Sequence, residues 1–354
     1  MTLIDRIVPA GLRDIASLAR QTESGPYAGL WVAENRYDAL LSLTVAAEHT
    51  DRISIGSGVA IAFARTPMTV AYPAWELQAF SHGRFVLGLG SQVRAHVANR
   101  FGMPFTEPAA RMREFVEAVR EIWRCWSTGD RLRFEGRFYR HTLMTQNFVP
   151  EPTGHHAPPI YLAAVGPRMT EVAGAVADGL IAHPFLTESY ARECLLPNLG
   201  AGARSAGRLP GDVTTVGAIF VATGRNDSEL AAARMAVKTR IGFYGATPAY
   251  RPVLDHHGMG DLQLTLNEMA REGRWSEMGA LIPEELFDAM VITGAPGDVG
   301  VELNRRFGEL FDRISINAPY PLDPTLADEI AVAFNSVNGG RKPSRAHEPD
   351  SVNK

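Results

Sequence analysis

The chain of 354 residues has only two cysteines, Cys125 and Cys194, far apart and without CxxC spacing. That excludes a disulfide framework and a zinc knuckle, and it fits a reducing, cytoplasmic setting. No stretch reaches the roughly 18 uninterrupted apolar residues of a membrane span. Met1–Leu18 carries Asp5, Arg6, Arg13 and Asp14 where a signal peptide would have its apolar core. A soluble, unsecreted protein without a membrane partner is expected. An excess of either charge is missing too: 35 basic residues stand against 39 acidic ones, a net charge of −4. The net charge therefore offers no electrostatic case for nucleic acid as a partner. Chemical signatures are equally scarce. There is no HExxH, no GxSxG and no cluster of acids and histidines, so metal hydrolysis and triad chemistry lack support and no metal site is expected. "GLGSQV" is not a GxGxxG followed by an acid about 20 residues on, which weakens a Rossmann reading.

What the chain does contain is alternation. Apolar residues make up 45% and charged residues 21%, ordinary for a globular enzyme with a large core. Strand candidates lie near Leu3–Val8, Gly29–Ala33, Ile53–Ile61, Phe85–Leu89, Ile160–Val165, Gly179–Ala182, Thr214–Ala222 and Arg313–Asn317, with helical segments between them. Eight such strands favour an α/β fold closed as a (β/α)8 TIM barrel with helical and hairpin insertions. Met112, Phe115, Val116, Val119, Ile122, Trp123 and Trp126 follow helical spacing and read as core packing. One domain over residues 1–337 is expected, with insertions at about 127–159 and 227–288. The first holds "LRFEGRFYRH", whose alternation predicts a small hairpin able to cover the barrel mouth. The second holds "FYGATPAYRPVLDHHG", a lid or an interface. From Asn338 onward the composition reads as a disordered tail.

In a barrel the residues just after each strand share one rim. They include Glu34 and Asn35, then Phe63–Arg65, then Gly90, Ser91 and Gln92, and finally "AAVGPRM" and "HPF". Phe85–Leu89 suits a strand buried on both faces. Its glycines Gly88 and Gly90 mark either a tight turn or a close approach by something to the backbone. In "AAVGPRMTEVAGAVADG" the strand end is followed by Gly166-Pro167 and a helix from near Arg168. Free amides at such a helix start can hold a phosphate, with Arg168 adding charge. An ordinary strand–turn–helix connection would read the same way.

The stretches "RISIGSGVAIAFARTPMTVA", "SHGRFVLGLGSQVRAHVANRFG", "IYLAAVGPRMTEVAGAVADG" and "ITGAPGDV" together resemble the bacterial luciferase-like superfamily. The likeness is closest to actinobacterial oxidoreductases that use coenzyme F420, and it spans roughly residues 29–317. The resemblance implies a cofactor ring across the C-terminal rim, passing the end of the fourth strand at Gly90, Ser91 and Gln92. It implies a non-prolyl cis peptide at Gly58-Val59 behind the ring. It also implies phosphate binding at Ala163, Ala164, Gly166 and Pro167. The glucose-6-phosphate dehydrogenases of the superfamily have a histidine after the second strand and a glutamate after the fourth-strand glycines. Here those stretches read "WVAENRY" and "GSQVRAH", with Glu34 or Asn35 near the first position and Val93 near the second.

The remaining proton donors are Glu34, His183 and, further off, His96; Pro184 and Phe185 make a purely structural His183 an alternative. Trp31, Phe63, Phe185 and Tyr244 point to a partly aromatic pocket. The expected function is hydride transfer between F420 and a small organic substrate, with Glu34 or His183 moving the proton. A two-component monooxygenase using reduced FMN and oxygen, and a barrel that binds without turnover, are the alternatives. A homodimer is left open.

Overall fold

A computed structural model describes residues 1–337, so the tail expected from Asn338 lies outside the described residues. The apolar runs form parallel strands: β1 (Leu3–Val8), β2 (Gly29–Val32), β3 (Ser54–Ser57), β4 (Phe85–Gly90), β5 (Ile160–Ala164), β6 (Gly179–Ala182), β7 (Thr214–Thr223), β8 (Val291–Gly294) and β9 (Arg313–Asn317). All but β8 close the expected TIM barrel, in the order β1-β2-β3-β4-β5-β6-β7-β9 and back to β1. Helices lie between the strands and cover the outside.

Two features depart from the expected strands. The run Ile53–Ile61 is not continuous: β3 ends at Ser57, Gly58-Val59 is a cis peptide, and pairing with β4 resumes at Ala60–Ile61. β7 also outgrows the barrel. It pairs with β6 through Thr214–Gly217 and with β9 through Val216–Phe220, and beyond the rim its Phe220–Thr223 pairs with β8. The short run Val291–Gly294 gives no periodicity of its own, so only its partner reveals it as a strand.

The insertions follow their patterns. Phe134–Glu135 pairs antiparallel with Arg140–His141. Glu114, on the helix Pro108–Thr128, accepts hydrogen bonds from the backbone N–H groups of Arg137, Phe138 and Tyr139 at 3.0, 2.6 and 2.6 Å. These contacts hold the hairpin on the barrel's flank. The second insertion is helical, over Asp227–Gly245, Arg251–His256, Gly260–Arg271 and Glu284–Met290. Its ends are the neighbouring strands β7 and β8.

Strand alternation fixes what fills the barrel. Trp31, Val86, Tyr161 and Val216 pack together inside it with Ile7 and Ile181. Asp5, two residues before Ile7 and fully buried, takes two bonds from Arg313, at 2.7 and 2.6 Å, and one from the Trp31 indole at 2.8 Å. The pair joins the first strand to the last at the N-terminal end. A buried carboxylate stripped of its guanidinium is strongly destabilising, whereas a matched apolar pair is tolerated.

Arg313→Met is therefore expected to cost about 3–5 kcal/mol in urea unfolding, with much of that recovered when Asp5→Leu is added. A double variant no more stable than the single one would show that the pair is not the seam's main contact.

Candidate active site at the barrel mouth

The upper inward face is built from small residues. Following Val86 and Tyr161 upward by twos gives Gly88 and Gly90 on β4 and Ala163 on β5, and Ile181 on β6 leads to His183. Two close approaches explain the glycines. A Cβ on Gly88 would stand 1.8 Å from the Ser57 carbonyl oxygen, and one on Gly90 would stand 2.5 Å from Val59 Cγ2 and 3.7 Å from the Ala163 methyl. The Ser57 hydroxyl locks the first contact by donating to the Gly88 carbonyl at 2.7 Å and accepting from the Gly88 N–H at 2.9 Å. What comes so near the β4 backbone is thus the bulge of β3. A side chain at Gly90 would meet Val59 before it met any ligand. The result is a wall of Val59, Gly90 and Ala163 with little side chain on it.

Glu34 stands just past β2 with both carboxylate oxygens engaged. It accepts from Arg65 at 2.9 and 2.8 Å and from the Ile61 N–H at 2.8 Å. Arg65 also donates to Asp38 at 2.6 Å, and Asp38 caps the helix Ala39–Glu48 by accepting from the Leu40 and Leu41 N–H groups. Burial opposes the Arg65 charge, but the bonds and charges of Glu34 and Asp38 outweigh it and hold its pKa above the usual value. Expected as a proton donor, Glu34 is placed as a clasp that ties the β2 loop to the segment leaving the β3 bulge. Arg65 is the residue the sequence left without a role. It is recognisable only as an arginine in a rim loop, because its partner lies 31 positions away.

His183 follows β6, and its backbone N–H reaches the Ala164 carbonyl at 3.4 Å. Its Nδ1 accepts from the Phe185 N–H at 3.1 Å, so in the neutral ring Nε2 carries the proton. Tyr244 and Tyr250 of the second insertion pack on the ring, with centroids 4.5 and 4.6 Å away. The residue keeps a partial opening to solvent, yet burial among these rings lowers its pKa to about 3. It is a fixed neutral donor rather than a group that titrates near neutrality. His96, the further candidate, lies exposed on the turn after β4.

The other expected residues fall on the same rim. Ser91 and Gln92 are half-buried and folded onto their own backbone: Gln92 has φ +58° and its Oε1 accepts from the Val93 N–H at 2.9 Å, while Ser91 Oγ donates to the Gln92 carbonyl. Gly166 is the N-cap of the helix Pro167–Val176, with Pro167 in its first turn and no capping side chain. A Cβ at Gly166 would find only the Ala249 carbonyl oxygen, at 3.8 Å. Arg168 is exposed and bonds to no described residue. Gly58, Val59, Gly90, Ala163 and His183 are thus brought to one arc, and Ala164, Gly166, Pro167 and Arg168 continue it outward over β5. Among the described residues no group of three or more His, Cys, Asp or Glu side chains is placed to hold a metal ion, and no helix is long and apolar enough to cross a membrane.

The luciferase-like monooxygenase family matches residues 4–312. The chain belongs to that family. This luciferase-like chain is 44% identical over 311 residues to an uncharacterized protein of Mycobacterium tuberculosis, covering 88% of this chain and 92% of the relative. It is 26% identical to the 5,10-methylenetetrahydromethanopterin reductase of Archaeoglobus fulgidus, over 77% of this chain and 80% of that protein. In fold it matches the coenzyme F420-dependent tetrahydromethanopterin reductase of Methanopyrus kandleri with a TM-score of 0.74 at 20% identity, over 94% and 98% of the two chains. The chain is an oxidoreductase of the luciferase-like type.

The lowered pKa of His183 has a sign that can be measured. The unfolded chain binds this proton below about 6.5, the folded chain only below about 3. The contribution is complete above about 6.5 and is lost as pH falls from there toward 3. Between pH 7 and pH 5 the parent is expected to lose up to about 2 kcal/mol more unfolding free energy than His183→Gln. Equal losses in urea titrations would mean that the ring is solvated in the folded chain.

Proposed function

We propose that the chain is a deazaflavin-dependent oxidoreductase that transfers a hydride between coenzyme F420 and a small organic molecule at the C-terminal rim. The observation that carries this reading is the wall of Val59, Gly90 and Ala163, leading over the end of β5 to an uncapped helix start. A planar ring can lie against a wall from which no long side chain rises. The space at Gly166, the free amides beyond Pro167 and the unpaired Arg168 suit the phosphate of the same molecule. The residues present therefore fit the group. When bound, it supplies hydride chemistry at its central ring carbon.

The chain's own part is binding and orientation. Ser57 fixes Gly88, which sets the height of Val59 against Gly90. Glu34 and Arg65 hold the segment that leaves the bulge, so they position Val59 rather than move a proton. His183, with its proton fixed on Nε2 by the Nδ1 contact, can donate to a substrate atom without changing charge. A cytoplasmic setting belongs to the same reading, in keeping with two unpaired cysteines. F420 is preferred to FMN because the sequence stretches around the wall resemble deazaflavin enzymes.

Fluorescence titration of the purified protein is expected to give at least tenfold tighter binding of F420 than of FMN, about 1.4 kcal/mol. Equal or reversed affinities would move the reading to an FMN-dependent monooxygenase. Gly166→Asp should weaken F420 binding at least tenfold, through charge repulsion at the helix start, whereas Arg168→Ala should cost about 1 kcal/mol or less. Normal binding by Gly166→Asp would show that this helix start does not hold the phosphate.

Glu34→Gln removes one ionic partner of Arg65 and should cost about 1.5–3 kcal/mol of stability. Cofactor affinity should fall with it, since Val59 loses its support. A stable variant with unchanged affinity but slowed hydride transfer would restore Glu34 as the proton donor.

A further inference from the structure

The geometry points to an uncharged three-donor pocket, made by His183 Nε2–H and the hydroxyls of Tyr244 and Tyr250, that selects a neutral substrate by its hydrogen-bond-accepting oxygen and turns away carboxylates and phosphates. This rests on the proposed function above, for which it names the substrate class.

The three rings form one cluster: the tyrosine centroids lie 4.5 and 4.6 Å from that of His183 and 6.2 Å from each other. Apolar rings back it, Phe185 stacked on Tyr250 and Phe220 on Tyr244. Each member is half-buried. Neither hydroxyl bonds to another described residue, and His183 spends only its Nδ1, on the Phe185 N–H. None of the three polar atoms is among those sealed from solvent without a partner, so all open onto reachable space. For His183 that space is the mouth, because the residue continues the inward face of β6 beside the end of β5.

His183 and Tyr250 carry no formal charge near neutrality. Burial holds His183 down at about 3, and burial with the neighbouring Tyr244 pushes the Tyr250 phenol above its usual range. A neutral acceptor such as a carbonyl oxygen exchanges water for these donors on even terms. A carboxylate or phosphate would give up far stronger hydration and gain no counter-charge from the three. A site built of hydrogen-bond donors also rejects analogues that lack the acceptor. Arg240 is the group that tests this logic. Its guanidinium stands over the rings of Phe243 and Tyr244, 5.8 and 5.7 Å from their centroids, so an anion-selective mouth would depend on it.

The experiment uses the full chain without cofactor, carrying 13C-labelled tyrosine, and follows its NMR spectrum at pH 7. The probes are acetophenone, a neutral carbonyl on an aromatic body, and benzoate, its anionic counterpart. Saturable shifts of the Tyr244 and Tyr250 signals with acetophenone are expected, and at least tenfold weaker binding of benzoate. Tyr244→Phe and Tyr250→Phe should each weaken acetophenone about three- to tenfold, with Arg240→Met close to the parent. Absence of saturable acetophenone binding, benzoate bound as tightly as acetophenone, tyrosine variants that bind like the parent, or a loss confined to Arg240→Met would each overturn the proposal. Because no cofactor is present, the two readings fail separately. Acetophenone bound through the tyrosines in a chain that takes neither F420 nor FMN would sink the oxidoreductase reading alone. F420 bound without acetophenone would sink the pocket alone.

Discussion

Asp5 and Arg313 face each other where the first strand meets the last; the Asp5 carboxylate is sealed from water and the Arg313 side chain is only 12% exposed. Trp31 adds its indole N–H to the same carboxylate, so three strands converge on one buried acceptor. Such a pair contributes little net stability compared with apolar packing, but it penalises any register in which the partners miss each other. Slipping β9 by one residue would turn Arg313 out of the barrel and leave Asp5 alone. With the lower half occupied by this pair and by Trp31, Val86 and Tyr161, side-chain volume is spent before the rim is reached. The upper inward positions on β4 and β5 are small: Gly88, Gly90 and Ala163. The mouth is the complement of a crowded floor.

Much of the barrel was legible in the sequence because strands buried on both faces appear as apolar runs, and eight such runs separated by helical spacing leave few other architectures. The helix stripe from Met112 to Trp126 is buried as its spacing implied. The rim was legible for the same reason, since topology alone brings strand ends together. What the residues do to one another there was not. Gly90 announces that something comes close, but nothing local says that it is Val59, 31 positions earlier. Glu34 looks like a free acid until Arg65 folds back on it. His183 looks like a titrating base until two tyrosines, more than 60 positions later, remove its water. Charge and proton chemistry depend on burial, and burial is a property of the closed barrel rather than of any window of sequence. β8 escaped for a related reason: a strand of four residues is defined by the extension of β7 beside it.

The extension of β7 above the rim has a further bearing on how such a molecule can change over time. The excursion from Asp227 to Met290 leaves from the top of β7 and returns into β8, and these two strands are paired neighbours through Phe220–Val291 and Thr223–Gly294. Because the pairing is parallel, the excursion leaves beyond Thr223 and returns at Val291, opposite Phe220, so its ends stay within the length of this short ladder whatever lies between them. For a loop closed in this way, doubling the length adds only about 0.6 kcal/mol of entropy. Helices can be lengthened, exchanged or deleted within it while the seam at Asp5 and Arg313 and the bulge at Val59 keep their contacts. Tyr244 and Tyr250 are carried on this replaceable segment, whereas the wall of Val59, Gly90 and Ala163 belongs to the barrel. Descendants of one ancestor can thus exchange what faces the ligand's companion while inheriting the wall unaltered.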